Sequence, residues 1–278
     1  MKCSLTQLFQ FSVLALGLSG FACADDLVIP GSGNNEFVLG RLAEAFNAQQ
    51  KRHRISVPPS IGTAGAIRSL DEGTATLVRV GRPLKDAELR KGYAYVPLGR
   101  DAVVFAGGAK VTANNISAAQ VLAIYQGKTL DWRELGGTPG AIRAVGREAT
   151  DTSRTAIAVR IKEFADMTFA DSVKQVLLDP QAIELLDRFP TSLGFLNRSA
   201  LSAAKTKLTI LSFESIPPSA ENIASGQYPI WLEMGFAYKP GGLNEAGREF
   251  LAYVSSPAGR EIVSALGIIP RSAAAQRR

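Results

Sequence analysis

The sequence predicts an α/β protein of two lobes, on three observations. Strand-like, small-residue and helical segments follow one another three times in that order, as in the βα units of a parallel sheet covered by helices. The 278 residues suffice for two domain-sized cores, and 46% hydrophobic with 20% charged side chains is a globular composition. No Pro/Ser-rich linker separates the halves, which favours lobes joined by strands that pass between them over two independent beads.

The first segment stands apart from this plan. Lys2, an apolar run from Leu8 to Phe21, and Ala22-Cys23-Ala24 before Asp25-Asp26 form an export signal cut after Ala24. The run is shorter than the ~20 apolar residues a bilayer span requires. The rival reading is a lipoprotein signal with Cys23 acylated, for which Gly20-Phe21-Ala22 is a poor approach. Cleavage removes both cysteines, Cys3 and Cys23, and leaves residues 25–278 with 30 basic and 25 acidic side chains. A cysteine-free, exported chain suits an oxidising compartment without using it for bridges.

Leu27-Val28-Ile29 reads as the first strand and ends in Pro30-Gly31-Ser32-Gly33-Asn34-Asn35. Leu39, Leu42, Ala43 and Phe46 then mark one helix face. The second unit is Ile55 to Val57, the loop Ser60-Ile61-Gly62-Thr63-Ala64-Gly65, and a helix from Ala66 to Leu70. In the third, Ala141 to Val145 is strand, Gly146 to Asp151 is loop, and a helix runs from about Thr152 to Phe164. Ser117 and Gln120 form a capping box for a helix over Val121 to Gln126 that Gly127 stops. Asn244 to Val254 and Pro257 to Leu266 are two final helices, separated at Ser256-Pro257 because proline fits a first helical turn. The passages between lobes fall near Gly99–Val103 and Gln227–Trp231, dividing the mature chain into lobe 1 (25–100 and 231–278) and lobe 2 (101–230).

The three loops have a common chemistry. Small residues let the backbone approach a ligand, and the first N–H groups of a helix lack intrahelical acceptors, so each loop can meet an anion. Each is equally an ordinary helix cap. Arg147, just before the third helix, could grip an oxyanion bidentately or pair with Glu148 or Asp151; Arg82 faces the same choice. One histidine and two cysteines exclude a zinc cluster and argue against Cys/His or Ser/His catalysis. His53, in Lys51-Arg52-His53-Arg54, reads as solvent-exposed, and Trp132 and Trp231 as packing residues. Asp131, Glu134 and Glu148 show no spacing that separates a glycosidase pair from solvated charges. A net charge of +6 without lysine-rich runs gives no nucleic-acid arm.

An ordered set of motifs resembles the periplasmic phosphate-binding proteins of ABC phosphate importers, the PstS-like family. Gly31-Ser32-Gly33 with the helix ending Ala43-Glu44-Ala45-Phe46 is similar to that family's first ligand loop, and Ser60 to Ile67 to its second. Gly73-Thr74-Ala75 through Gly81-Arg82-Pro83-Leu84 resembles the segment that follows. Ile124-Tyr125-Gln126-Gly127-Lys128 with Asp131-Trp132-Arg133-Glu134-Leu135-Gly136-Gly137 is the most telling match. Gly146-Arg147-Glu148 with Thr152-Ser153-Arg154 resembles the arginine-bearing loop, and Ser256 to Gly259 with Leu266 to Pro270 the closing helix and proline.

The resemblance implies a type II periplasmic-binding-protein fold: two lobes, each a mixed, mainly parallel sheet flanked by helices, joined by two crossover strands and closing over one anion. It implies no cofactor or metal, no catalytic residue, a monomer, and delivery of phosphate to an ABC permease. Its phosphate-binding set falls on Ser32, Gly33, Asn34 and Asn35, on Gly62, Thr63 and Ala64, on Arg82, and on Arg147, Asp151, Thr152 and Ser153. The family commonly has aspartate where Gly81 stands, accepting the proton of phosphate and so rejecting sulfate. Its third loop usually reads Ser-Gly-Thr where this chain has Asp151-Thr152-Ser153. Asp151 therefore has two readings, a replacement proton acceptor or a helix cap. The alternatives for function are capture of another tetrahedral oxyanion such as sulfate, and a sensor without transport; an exported hydrolase ranks last.

Overall fold

The computed structural model describes residues 25–204 and 206–271. The expected export signal (1–24) and the tail (272–278) lie outside them. The first half runs β1 (Asp25–Val28), α1 (Glu36–Gln49), β2 (His53–Ser56), α2 (Gly62–Asp71), β3 (Leu77–Val80), α3 (Asp86–Arg90) and β4 (Ala94–Gly107). Next come β5 (Asn115–Ile116), α4 (Ala118–Tyr125), β6 (Arg143–Arg147), α5 (Thr152–Arg160), β7 (Lys174–Val176), α6 (Asp179–Arg188) and β8 (Ser192–Asn197). The chain continues through α7 (Arg198–Ala204), β9 (Thr209–Ile210), β10 (Ser212–Phe213), α8 (Ala220–Ser225) and β11 (Trp231–Tyr238). It closes with α9 (Glu245–Ser255), α10 (Pro257–Ala265) and β12 (Ile269–Pro270).

β1 pairs with β2 in parallel, and a parallel bridge from Gly31 to Arg79 sets it beside β3. From β3 the order continues β11-β4-β8-β6-β7. The strands of βα units pair in parallel because a helix returns the chain to the same edge, whereas the long β4 and β11 pair antiparallel. β4 changes partner along its 14 residues. Ala94 to Ala102 lies against β11, and Val103 to Gly107 against β8. This strand therefore belongs to the sheets on both sides of the molecule.

Spacing accounts for the helices. α1 buries Val38, Leu39, Leu42, Ala43 and Phe46, the expected stripe. Ser117 and Gln120 form the expected capping box of α4. Ser256 caps α10, with Pro257 in its first turn. The third-unit helix is shorter than predicted: α5 stops at Arg160 because Ile161 leaves helical dihedrals, and Lys162–Phe164 forms a separate 3-10 turn. That turn points Phe164 at Tyr125, Phe169 and Phe195, with ring centroids 5.3, 5.4 and 5.7 Å away.

His53 corrects the sequence reading. It is buried because alternate residues of β2 share a face, so His53 and Ile55 both turn inward. Its Nε2 lies 3.5 Å from Glu249 on α9. Trp132 packs as expected, its indole N–H donating to the Thr191 carbonyl at 2.8 Å.

Candidate functional site

β1, β2 and β3 run parallel on one side, and β6, β7 and β8 on the other. Ligands in open α/β sheets collect at the carboxyl ends of such strands, where the chain leaves the sheet and exposes helix starts. The loops after β1, β2, β3, β6 and β7 line one cleft of about 1040 Å³.

A buried arginine holds the first two loops. Arg79 on β3 is fully buried. Its guanidinium donates to the Ser32 carbonyl at 2.8 Å and to the Ile29 carbonyl in the first loop, and to the Pro58 carbonyl in the second at 2.7 Å. It also pairs with Glu36 at 3.2 Å. Burial pulls its pKa down to about 10 against the support of Glu36, so it stays charged at neutral pH. The first loop packs flush on this strand only because residue 31 is glycine. Its φ of 148° is open to glycine, and any Cβ would strike the Arg79 backbone.

The cleft floor is a polar cluster around Gly81. A Cβ there would lie 2.6 Å from Ser32 Oγ, 3.0 Å from Thr152 Oγ1 and 3.1 Å from Asn34 Oδ1. The Gly81 N–H donates to Thr63 Oγ1 at 3.1 Å. Asn34 joins the two sides. Its Nδ2 donates to Ser153 Oγ and Asn197 Oδ1, both at 2.8 Å, and its Oδ1 accepts from the hydroxyls of Ser32 and Thr152. Asn197 continues inward to Asp101 on β4 at 3.2 Å. Asp101 also accepts from the N–H and hydroxyl of Ser199. Burial pushes the Asp101 carboxyl up to about 7, against these hydrogen bonds.

Arg147 ends β6 inside the cleft lining. It is buried, donates to Asp179 and to the Leu177 carbonyl at 2.8 Å, and pairs with Asp151 at 2.9 Å. Burial disfavours its charge, yet Asp179 and Asp151 hold the guanidinium above its ordinary range. Asp151 caps α5 by accepting the Arg154 N–H at 3.0 Å while its other oxygen faces Arg147. Burial raises its carboxyl pKa, opposed by Arg147 and aided by Asp179. Two carboxylates thus offset the arginine.

Ser32, Gly33, Asn34, Gly62, Thr63 and Ala64 line the cleft from one side, with Arg82. Arg147, Asp151 and Thr152 line it from the other. Two predicted residues are placed elsewhere. Asn35 turns into the sheet, donating to the Val80 carbonyl at 3.1 Å. Ser153 sits behind the lining, on Asn34 and Asn197. Arg82 is held in a two-pronged pair with Glu88 at 2.7 and 2.8 Å. Sequence reasoning missed Arg79, Asp101, Asp179 and Asn197. The available signal for Arg79 was a charge inside the apolar strand Leu77-Val78-Arg79-Val80; the others needed the chain to be folded.

A family model described as a PBP superfamily domain matches residues 22–258. The phosphate-binding protein PstS of Bacillus subtilis (strain 168) is 28% identical over 256 residues, covering 88% of this chain and 80% of that protein. The fold is similar to that of a Clostridium perfringens protein crystallised with bound phosphate, with a TM-score of 0.77 and 22% identity over 89% of this chain and 100% of that one. It is similar also to an ABC-type phosphate transport receptor from Vibrio cholerae, with a TM-score of 0.68 and 21% identity over 88% and 100% of the two chains. The architecture is the type II periplasmic-binding-protein fold. With the family model covering most of its length, the chain belongs to the PBP superfamily.

Proposed function

We propose that this protein is an exported solute-binding protein that captures inorganic phosphate in its cleft and delivers it to an ABC permease. The observation that carries the reading is the cleft floor. Helix-start loops from both sides converge on Gly81, bringing the hydroxyls of Ser32, Thr63 and Thr152 together in the cleft that Arg147 also lines. Such a floor suits a small tetrahedral oxyanion, which needs donors in several directions and tolerates little apolar contact. The likeness to the Bacillus phosphate-binding protein and the Vibrio phosphate transport receptor, and the phosphate bound in the Clostridium structure, support it.

The lobes are residues 25–100 with 231–278, and 101–230. They pivot where β4 passes from β11 to β8. Binding and release, without a chemical step, is the work of the site. After removal of the leader the chain acts as a monomer in the periplasm; no helix among the described residues is long and apolar enough to cross a membrane.

Calorimetric titration of phosphate-stripped protein beginning at Asp25, with phosphate and then sulfate at pH 6 and pH 8, tests this. Tight binding of phosphate with weak or no binding of sulfate is expected. Preference for sulfate would replace phosphate with another tetrahedral oxyanion, as Gly81 in the place of a carboxylate allows. No heat with either anion would overturn the reading.

A further inference from the structure

The cleft changes character between floor and mouth. Besides the polar cluster at Gly81, its lining carries large exposed apolar side chains. Ile61 on one side is 50% exposed; Val159 and Leu177 on the other are 71% and 62% exposed. All three line the same cleft, joined by Pro229 and Trp231. Only four other large apolar side chains among the described residues are comparably exposed: Val28, Leu89, Leu130 and Ile210. None of those four lines the cleft. Exposed apolar surface concentrated at one concavity marks a place where something binds.

An inorganic oxyanion does not match that wall. It has no apolar surface to set against Ile61, Val159 and Leu177. The space of about 1040 Å³ is also large for it, since pockets of roughly 300–1,000 Å³ hold organic molecules of drug size. Asn34 joins the two sides through Ser153, Asn197 and Thr152, and the same cleft is lined by Ile61, Val159 and Leu177.

We propose that the cleft takes a phosphomonoester: its phosphoryl group at the floor, and an apolar substituent of about ring size against Ile61, Val159, Leu177 and Trp231. This rests on the phosphate reading above and extends it to an organic phosphate. A monoester keeps three terminal oxygens, so the floor can hold it as it holds phosphate. The ring adds apolar contact: covering about 100 Å² at ~25 cal/mol per Å² corresponds to roughly 10- to 100-fold in affinity.

Phosphate-stripped protein is titrated with inorganic phosphate and with phenyl phosphate, by calorimetry and by Trp231 fluorescence. Phenyl phosphate is expected to bind roughly 10- to 100-fold more tightly. Val159→Ser and Leu177→Ser, at exposed positions where folding is not at stake, are expected to weaken phenyl phosphate more than inorganic phosphate. Tighter binding of inorganic phosphate than of the ester would overturn this inference and leave the phosphate reading standing. Equal binding of the two, unmoved by the serine variants, would place the ring in solvent and overturn it likewise. Binding of neither ligand would overturn both.

Discussion

Asn34→Ala tests whether the polar floor holds the cleft together. In the wild type, the Asn34 side chain makes three hydrogen bonds across the cleft, to Thr152, Ser153 and Asn197. A buried hydrogen bond is worth a net ~0.5–1.5 kcal/mol. Losing three therefore costs the joined state about 1.5 to 4.5 kcal/mol, which lowers the ratio of joined to open molecules roughly ten- to two-thousand-fold. Residues 25–278 have no cysteine, so dyes can be placed at Leu89→Cys and Leu130→Cys, exposed positions in α3, which follows β3, and in the stretch before β6. Single-molecule energy transfer without ligand is expected to give one high-transfer population in the wild type. In Asn34→Ala a lower-transfer population should appear, with far-UV circular dichroism unchanged. Identical transfer in the two proteins would refute the reasoning, because the network would then be present without holding the walls.

Asp101 links stability to pH. Its folded pKa is raised from 3.8 to about 7, so the folded state keeps a proton that the unfolded chain releases, and stability falls as pH rises across that window. About two of those three units lie between pH 5 and pH 7, which corresponds to roughly 3 kcal/mol; urea unfolding at pH 5 and pH 8 should show a fall of that order in the wild type that Asp101→Asn largely abolishes. Arg79→Met leaves Glu36 without its partner and three loop carbonyls without their donor, at a cost of ~3–5 kcal/mol in thermal unfolding. Arg79→Lys should recover less than half of it, because one ammonium cannot reach all four acceptors. Gly81→Ala puts a methyl 2.6 Å from Ser32 Oγ, and phosphate titration should show at least a tenfold loss of affinity, ~1.4 kcal/mol, with little change in melting temperature.

Much of this was legible in the chain itself. Leu39, Leu42, Ala43 and Phe46 state the buried face of α1, and Ser117 with Gln120 states the start of α4, because both signals lie within a few residues. Glycine and hydroxyl residues between strand and helix marked the loops that meet at the cleft, since carboxyl ends of parallel strands lie on one edge whatever the rest of the sequence. What periodicity could not convey was direction. Asn34 and Asn35 are neighbours with the same side chain, yet one bridges the cleft and the other turns into the sheet. His53 sits among charges in the sequence and is buried because the pleat of β2 turns it inward. Asp179 stands 32 residues from Arg147 and Asn197 stands 96 from Asp101, separations across which no local pattern carries information. Composition and spacing determined the fold class and the loops. Which side chains meet at the floor, and that Asp151 and Asp179 offset Arg147, was decided by tertiary structure, because burial and electrostatics depend on distances that only the folded chain has.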